Sequence, residues 1–278
     1  MVSIRKILFP VDFSENCYGA ARYVEFFAGR FDAEVTLLHV VSMGEHNLAQ
    51  ELLPGRQKQL DDFLAGEFKY FMTQRVCVTG EAAPAIVDFA QQWKPDLVML
   101  PKHGTGLFRR LLLGSVAATV LHDLPFPVWT SIHAEAAPAL EKIHCRRILC
   151  AIDLAERSQT VVQWAADLAG EYAAELAIIH ATPALPNGYA GLKVYDDFVE
   201  SVTGKARSRV EGLLRDMGIK GLAKVGTGDP ALVVTNAVRD FGADLLVIGR
   251  HSGEGASGYL RRHAYGILRD SPCPVISI

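Results

Sequence analysis

Short, continuous apolar stretches alternate with longer amphipathic stretches along the chain. The apolar stretches are rich in β-branched residues and lack polar–apolar alternation, which is typical of strands buried on both faces of a parallel sheet. They predict strands at residues 4–11, 35–41, 75–79, 97–101 and 128–132, and again at 147–152, 175–180, 221–225, 244–248 and 275–278. The amphipathic stretches predict helices at about residues 15–29, 45–71, 84–93 and 115–122. This alternation indicates an α/β fold, with a doubly wound parallel sheet and helices on both faces.

The two sets of elements belong to an internal repeat. KILFPVD at residues 6–12 aligns with RILCAID at 147–153, and DLVMLPKH at 96–103 aligns with DLLVIGRH at 244–251. The offset stays between 141 and 148 residues, which is too long for a solenoid unit and indicates a duplicated domain. Gly29 and its counterpart Gly170 lie where helix-ending glycines are expected. We expect a first domain over residues 1–138 and a second over 143–278, joined by a short proline-bearing linker.

Composition fits two globular domains. The chain has 278 residues, half of them hydrophobic and 21% charged, which is enough apolar material for two packed cores. The net charge of −3 and the lack of a basic stripe argue against a nucleic-acid partner. Five cysteines without a CxxC pair favour a reducing compartment. No apolar run is long enough for a membrane span or a signal peptide, so we expect a cytoplasmic protein.

The candidate chemistry lies where the predicted strands end, because doubly wound sheets bind ligands outside the carboxyl ends of their strands. Asp12 and Asp153 follow the first strand of each repeat, and His39 and His180 end the second. In the first repeat, Gly114-Ser115 opens a helix, and backbone N–H groups at a helix start beside a hydroxyl suit a phosphate.

Each of these side chains also has a structural interpretation. Asp12 and Asp153 are good caps for the turn that follows them. His39 and His180 end apolar strands, which favours packing over metal binding. The remaining histidines and cysteines match no standard zinc spacing, so no resident metal is predicted.

The motifs of both repeats resemble those of the universal stress protein family. ILFPVDFSENC, LLHVV, DLVMLPKHG and LLLGSVAATVLHDLPFPV carry the resemblance in the first half, and their counterparts extend it over nearly the whole chain. The resemblance implies two tandem Rossmann-like or flavodoxin-like domains, each with a five-stranded parallel sheet. In one subclass it also implies ATP binding through G-x2-G-x9-G-[ST].

The first repeat keeps most of that ATP motif. Gly104 precedes Gly114-Ser115 by the required nine residues, but Pro101 replaces the first glycine and lacks an N–H to donate. The resemblance places an ATP site here, with Mg²⁺ only as a companion of the nucleotide. Its residues would be Pro10, Asp12 and Val40 near adenine or ribose, Pro101 at the missing glycine, and His103, Gly104, Gly114, Ser115 and Val116 around the phosphates.

The second repeat departs further from the motif. It keeps Asp153 and the first glycine, Gly249, but Arg261-Arg262 occupies the Gly-Ser position and the loop is one residue shorter. Two arginines can attract an anion by charge and bidentate geometry, so they remain candidates for a weaker site.

Three functional hypotheses follow. The first is a stress-response or signalling protein whose first domain binds ATP, so that the nucleotide biases a conformation or a partner surface. The alternative is an interaction module that binds no nucleotide. A slow ATP hydrolase is the third, although no lysine, carboxylate or metal motif that would position water is visible. The protein partner is not identified by the sequence.

The last strand of each repeat is short and apolar, and an exposed apolar edge strand favours aggregation. We expect these two edges to pair within the chain, with Val128, Thr130, Val275 and Ser277 at or near the seam. Assembly of two chains into a homodimer is left open.

Overall fold

The structure is a computed structural model that describes residues 1–42, 49–101, 114–131, 134–184, 193–250 and 259–278. The chain divides into two compact units. One comprises Ser3–His144, and the other comprises Cys145–Ile278 together with Met1–Val2. Both have the α/β architecture that the sequence predicts.

The first unit contains a five-stranded parallel sheet in the order β3-β2-β1-β4-β5. Strand β1 is central and pairs Ile7 with Val35 on one side and with Leu97 on the other. Its side chains from Ile7 to Phe9 are fully buried because helices cover both faces of the sheet. The elements are β1 (Lys6–Pro10), α1 (Glu15–Phe31), β2 (Glu34–Val41), α2 (Ala49–Asp62), β3 (Thr73–Thr79), α3 (Ala82–Trp93), β4 (Leu97–Met99), α4 (Ser115–Asp123) and β5 (Val128–Thr130).

The second unit repeats this plan in the order β10-β9-β6-β7-β8. Strand β6 is central there, paired with β7 and β9, and its residues from Ile148 to Ala151 are fully buried. The elements are β6 (Arg147–Ile152), α5 (Ser158–Tyr172), β7 (Glu175–Thr182), α6 (Lys193–Asp216), β8 (Leu222–Thr227), α7 (Pro230–Phe241), β9 (Leu245–Ile248), α8 (Tyr259–Asp270) and β10 (Val275–Ser277).

An aspartate at the start of β4 and β9 ties each central strand to its neighbour. Asp96 Oδ2 accepts the N–H groups of Arg5 and Lys6 at 2.7 and 2.9 Å. Asp244 Oδ2 accepts the corresponding N–H groups of Arg146 and Arg147 at 2.7 and 3.0 Å. The aspartate shared by the DLVML and DLLVI motifs therefore has a structural role in both units.

Three helix ends differ from the sequence expectation. Helices α1 and α5 continue past Gly29 and Gly170, and the left-handed caps are Asp32 (φ 52°) and Ala173 (φ 51°). The helix expected to reach residue 71 also ends early, at Asp62. Leu64 is left-handed (φ 53°), and Arg75 from β3 donates to its carbonyl at 3.1 Å, which stabilises this helix end.

The segment expected as a linker is folded against the first unit. It forms two short 3-10 helices, Ala134–Ala136 and Leu140–Lys142. Arg22 of α1 donates to the carbonyls of Ala137 and Pro138. Gly19 is required beneath this segment, because a Cβ there would lie 1.5 Å from the carbonyl oxygen of Ala134. Within the described residues, none of the helices is long and apolar enough to cross a membrane.

Candidate functional site

The carboxyl ends of β1 and β4 form the place where strand order reverses in the first unit. From β1 the chain continues through α1 to β2 on one side, whereas β4 leads through α4 to β5 on the other. The two helices therefore begin on either side of a crevice at this edge of the sheet. Most of the described residues expected to bind the nucleotide lie along this edge.

Asp12 lies immediately beyond β1, and its carboxylate organises the turn into α1. Its Oδ1 accepts the N–H of Ser14 at 3.0 Å and the thiol of Cys17 at 3.2 Å. Burial raises the pKa of the Cys17 thiol to about 12, and the Asp12 charge adds to the shift, so the thiol stays protonated and can donate. The capping interpretation of Asp12 is thus visible in the structure, and the side chain is still exposed to solvent.

Asp153 makes the same turn in the second unit. Its Oδ1 accepts the N–H of Ala155 at 3.0 Å and the hydroxyl of Ser158 at 3.3 Å. Ser158 is the counterpart of Cys17 in the first repeat, so a hydroxyl in one unit and a thiol in the other donate to equivalent carboxylates. This equivalence was not predicted, although the shared 141-residue offset was the signal for it.

The residue after each aspartate has left-handed backbone, with φ 62° at Phe13 and 58° at Leu154. Such a conformation is uncommon outside glycine, and it turns the chain sharply between the strand and the helix. Phe13 offsets this strain by packing, because its ring lies 4.3 Å from that of His39 and 5.2 Å from that of Phe63.

His39 and His180 connect the ends of neighbouring strands. Nδ1 of His39 lies 2.8 Å from the Val11 carbonyl oxygen, and Nδ1 of His180 lies 3.0 Å from that of Ile152. A carbonyl only accepts, so Nδ1 carries the proton in both rings. Burial lowers the pKa of each imidazole below its ordinary value, which favours the neutral form. These contacts make both histidines structural links.

The other first-unit candidates lie at the same edge. Pro10 is the buried last residue of β1, Val40 is half-buried near the end of β2, and Pro101 follows β4. Gly114 is the N-cap of α4, with φ −56° and ψ 144°, and the exposed Ser115 and half-buried Val116 form its first turn. His103 and Gly104 lie outside the described residues, so the structure says nothing of their place.

In the second unit, Gly249 follows β9 and has a packing role. A Cβ on Gly249 would lie 3.0 Å from Cγ2 of Val161 on α5, closer than an ordinary contact. Arg261 and Arg262 belong to the first turns of α8, and their side chains lie outside the described set. Among the described residues, no group of three or more His, Cys, Asp or Glu side chains is arranged to hold a metal ion.

Sequence comparisons place both units in one family. The sequence profile of the universal stress protein family matches residues 3–131 and 144–278. Universal stress protein A homolog 1 of Coxiella burnetii is 26% identical over 140 residues, covering 49% of this chain and 97% of that protein. A universal stress protein of Methanocaldococcus jannaschii is 32% identical over 136 residues, covering 45% of this chain and 79% of that protein.

Solved structures share the fold over the full length. A universal stress protein from Archaeoglobus fulgidus has a TM-score of 0.72 at 20% identity, covering 98% of this chain and 97% of that one. A protein of unknown function from Pseudomonas aeruginosa PAO1 has a TM-score of 0.65 at 15% identity, covering 99% and 92%. The chain therefore belongs to the universal stress protein family, as a tandem member with one family domain in each half.

Proposed function

We propose that the first unit binds ATP at the crevice between β1 and β4, and that the bound nucleotide biases a conformation or a partner surface in a cytoplasmic stress response. One observation carries this proposal. Asp12 and the Gly114-Ser115 helix start lie at the same edge of the sheet, in a repeat that retains the Gly104-x9-Gly114-Ser115 spacing. The family resemblance assigns these residues to the nucleotide.

The start of α4 suits the phosphates of a nucleotide. The first N–H groups of a helix have no partner within the helix, and the helix dipole favours negative charge there. Gly114 has no side chain that could cover the helix start, and Ser115 is exposed and adds a hydroxyl. An accompanying Mg²⁺ would arrive with the phosphates as part of the ligand.

The base and ribose would lie against the ends of β1 and β2. Pro10 and Val40 supply apolar surface there, and Asp12 supplies a carboxylate that can accept ribose hydroxyls. Because Oδ1 of Asp12 already accepts two bonds within the turn, the carboxylate is held in a fixed orientation before a ligand arrives. Pro101 removes one backbone donor, so we expect weaker binding than an intact motif would give.

Titration of the full chain with ATP and GTP tests the proposal. We expect one ATP-preferring site per chain, weakened at least about tenfold by Gly114→Arg, because the added guanidinium fills the helix start. The backbone at Gly114 is extended and accepts any residue, so this substitution introduces no backbone strain. The matched control is Arg261→Gly, the reverse change at the equivalent position of the second unit, which should leave ATP affinity unchanged.

An ATP-preferring site that ignores Gly114→Arg would contradict the placement. If no adenine nucleotide binds at millimolar concentration, the alternative hypothesis of an interaction module that binds no nucleotide replaces this proposal.

We further propose that the protein is not an enzyme. Among the described side chains at the crevice, the carboxylate of Asp12 is engaged in its turn, and burial keeps the neighbouring Cys17 thiol protonated, so this pair is not poised as base and nucleophile. Steady-state phosphate release should stay far below about 1 s⁻¹, the low end of typical turnover numbers. Faster release from a contaminant-free preparation would favour the ATP hydrolase.

A further inference from the structure

Strand β3 is the outermost strand of the first unit's sheet, with β2 on its inner side. Just beyond the strand, the N–H of Gly80 donates to the carbonyl of Val41 at 3.1 Å, so every second residue before Gly80 faces β2. The backbone groups of the residues between them, including Arg75 and Cys77, therefore point away from the sheet. An outer edge of this kind is a template on which another strand can pair.

The side chain of Gln57, on α2, occupies this edge. Its Nε2 donates to the carbonyl of Arg75 at 3.1 Å, and its Oε1 accepts the N–H of Cys77 at 3.2 Å. The amide of one side chain thus forms both bonds that a neighbouring strand would form at this point. Nε2 also donates to Oδ1 of Asp61 at 2.9 Å. Carbonyl and carboxylate oxygens only accept and a backbone N–H only donates, so these three bonds agree on one orientation of the amide.

The position of Gln57 on its helix is one where an apolar residue would be expected. Leu53, Gln57 and Leu60 follow the i, i+4, i+7 spacing of a helix face that packs on a core. Leu60 is fully buried and Gln57 is half-buried, whereas the adjacent Arg56 and Lys58 are exposed. A polar group at such a position is costly unless it forms hydrogen bonds. The contacts with β3 supply these bonds and explain why a glutamine is found here.

The sequence of β3 is suited to pairing with a copy of itself. The strand contains neither glycine nor proline, and Val76 and Val78 are residue types that favour strands. In an antiparallel pair about a two-fold axis, Arg75 of one copy can lie opposite Cys77 of the other. The carbonyl of Arg75 would then accept the N–H of Cys77 from the second copy, and the reverse. These are the same two groups that Gln57 occupies.

We propose that Gln57 caps the outer edge of β3 and so prevents this strand from pairing with β3 of a second copy of the chain. The side chain forms within one chain the hydrogen bonds that pairing would form between two chains. Pairing therefore gains little at this point while the amide is in place. The edge lies on the far side of β2 from β1, so this proposal does not rest on ATP binding at the β1–β4 crevice.

Hydrogen exchange of the full chain, resolved to single amides by NMR at micromolar and millimolar protein concentration, tests the proposal in Gln57→Ala. At low concentration the N–H of Cys77 should exchange at least about tenfold faster than in the unaltered protein, because it loses its acceptor. At high concentration its exchange should become slow again as two copies pair. The N–H groups of Val76 and Val78 face β2 and should stay slow throughout, which shows that the strand remains folded.

The matched control is Gln59→Ala, the same change at an exposed position of the same helix. The amide of Gln59 bonds to the Arg56 side chain at 2.7 Å, so its loss should leave the exchange of Cys77 unchanged. Sedimentation should show that Gln57→Ala associates more than the unaltered protein does. Adding Cys77→Pro to Gln57→Ala removes the outward donor from an edge strand, where proline is tolerated, and should abolish this extra association.

Three results would overturn the proposal. Unchanged exchange of Cys77 in Gln57→Ala would show that the amide does not cap the edge. Fast exchange of Cys77 at every concentration, without added mass, would show that the open edge does not pair with a second copy. Fast exchange of Val76 and Val78 together with Cys77 would show that Gln57 is needed for the strand itself.

Discussion

Gly249 and Val161 in the second unit correspond to Pro101 and Ala20 in the first. A Cβ at Gly249 would lie 3.0 Å from Cγ2 of Val161, which is tighter than an ordinary contact. Where proline replaces the glycine, the smaller alanine replaces the valine, and Ala20 is fully buried. The two exchanges are complementary in volume, which gives Pro101 a packing explanation that is separate from any ligand.

This complementarity predicts coupled stability effects. Gly249→Ala should destabilise the protein by about 1–2 kcal/mol, because its methyl group overpacks against Val161. In a Val161→Ala background the same change should cost clearly less, with a coupling of at least about 0.5 kcal/mol between the neighbouring sites. Denaturant unfolding of the two single variants and the double variant measures this. Strictly additive losses would show that the two positions do not compete for space.

Glu25 on α1 gives the protein a pH-dependent stability. Burial raises the pKa of its carboxyl to about 7, and the charge of Glu67 contributes. Because the folded-state pKa is raised, the folded protein loses stability as pH rises from the ordinary glutamate range to about 7. Glu25→Gln should therefore raise the thermal midpoint at pH 8 and leave it nearly unchanged at pH 5. Glu67→Gln removes only the contributing charge and should raise the thermal midpoint at pH 8 by less. An equal rise of the midpoint at pH 5 and pH 8 in Glu25→Gln would be inconsistent with the shifted pKa.

The position of single functional residues was only partly predictable. A carboxylate directly after a buried strand was correctly expected at the sheet edge for Asp12 and Asp153. The left-handed backbone at Phe13 and Leu154 was not predictable, because neither residue type favours it and tertiary packing on His39 and Phe63 stabilises it at Phe13.

At the scale of whole elements, the ends of helices were also only partly predictable from the sequence. Gly29 and Gly170 were expected to end α1 and α5, yet each helix continues for about half a turn before its left-handed residue. In α5, Ala173 takes the cap conformation and donates to the carbonyls of Ala169 and Gly170. Exposed Gly170 lies inside the helix, where nothing would contact a Cβ within 4 Å.

An alanine at position 170 and a glycine at position 173 should each stabilise α5. Gly170→Ala should add about 0.5–1 kcal/mol, because alanine loses less backbone entropy in a helix. Ala173→Gly should add a similar amount by removing the strain of a left-handed Cβ. The reversed control, Ala173→Val, should lower the stability. Thermal or denaturant unfolding measures the stability of each variant. A loss of stability in Gly170→Ala would show that residue 170 does not lie inside the helix.

Buried strands were the most predictable elements. The continuous apolar runs of the central strands β1 and β6 follow directly from burial on both faces. All ten predicted strands are present, with ends shifted by up to a few residues. Helix α2 was overextended, because residues 63–71 carry a helical pattern of apolar residues. Arg75 and the left-handed Leu64 end the helix earlier, and neither signal is local to the sequence of α2.

At the scale of the whole molecule, duplication has produced two units that share one fold but differ in the residues at the carboxyl ends of their strands. Both units keep the aspartate-capped turn and the histidine link between strand ends. The first unit retains the Gly114-Ser115 helix start, whereas Arg261-Arg262 occupies the equivalent position in the second. We therefore expect the first unit to bind ATP more tightly than the second.

Pairing of the two terminal strands stays a prediction from the sequence. If β5 and β10 cover each other's edges, every backbone N–H of both strands should exchange slowly with deuterium. Val275→Glu should accelerate exchange in both strands or make the protein insoluble. Rapid exchange of alternate amides in the unaltered protein would mean that each strand has a free edge.

The most direct test of the account is hydrogen–deuterium exchange of the full chain in the presence of ATP, pyrophosphate or neither ligand. We predict that ATP slows exchange after β1, around Phe13, and at Gly114–Val116 more than pyrophosphate does. The account is contradicted if ATP slows exchange in the first unit no more than pyrophosphate does. It is also contradicted if the additional slowing caused by ATP appears in the second unit.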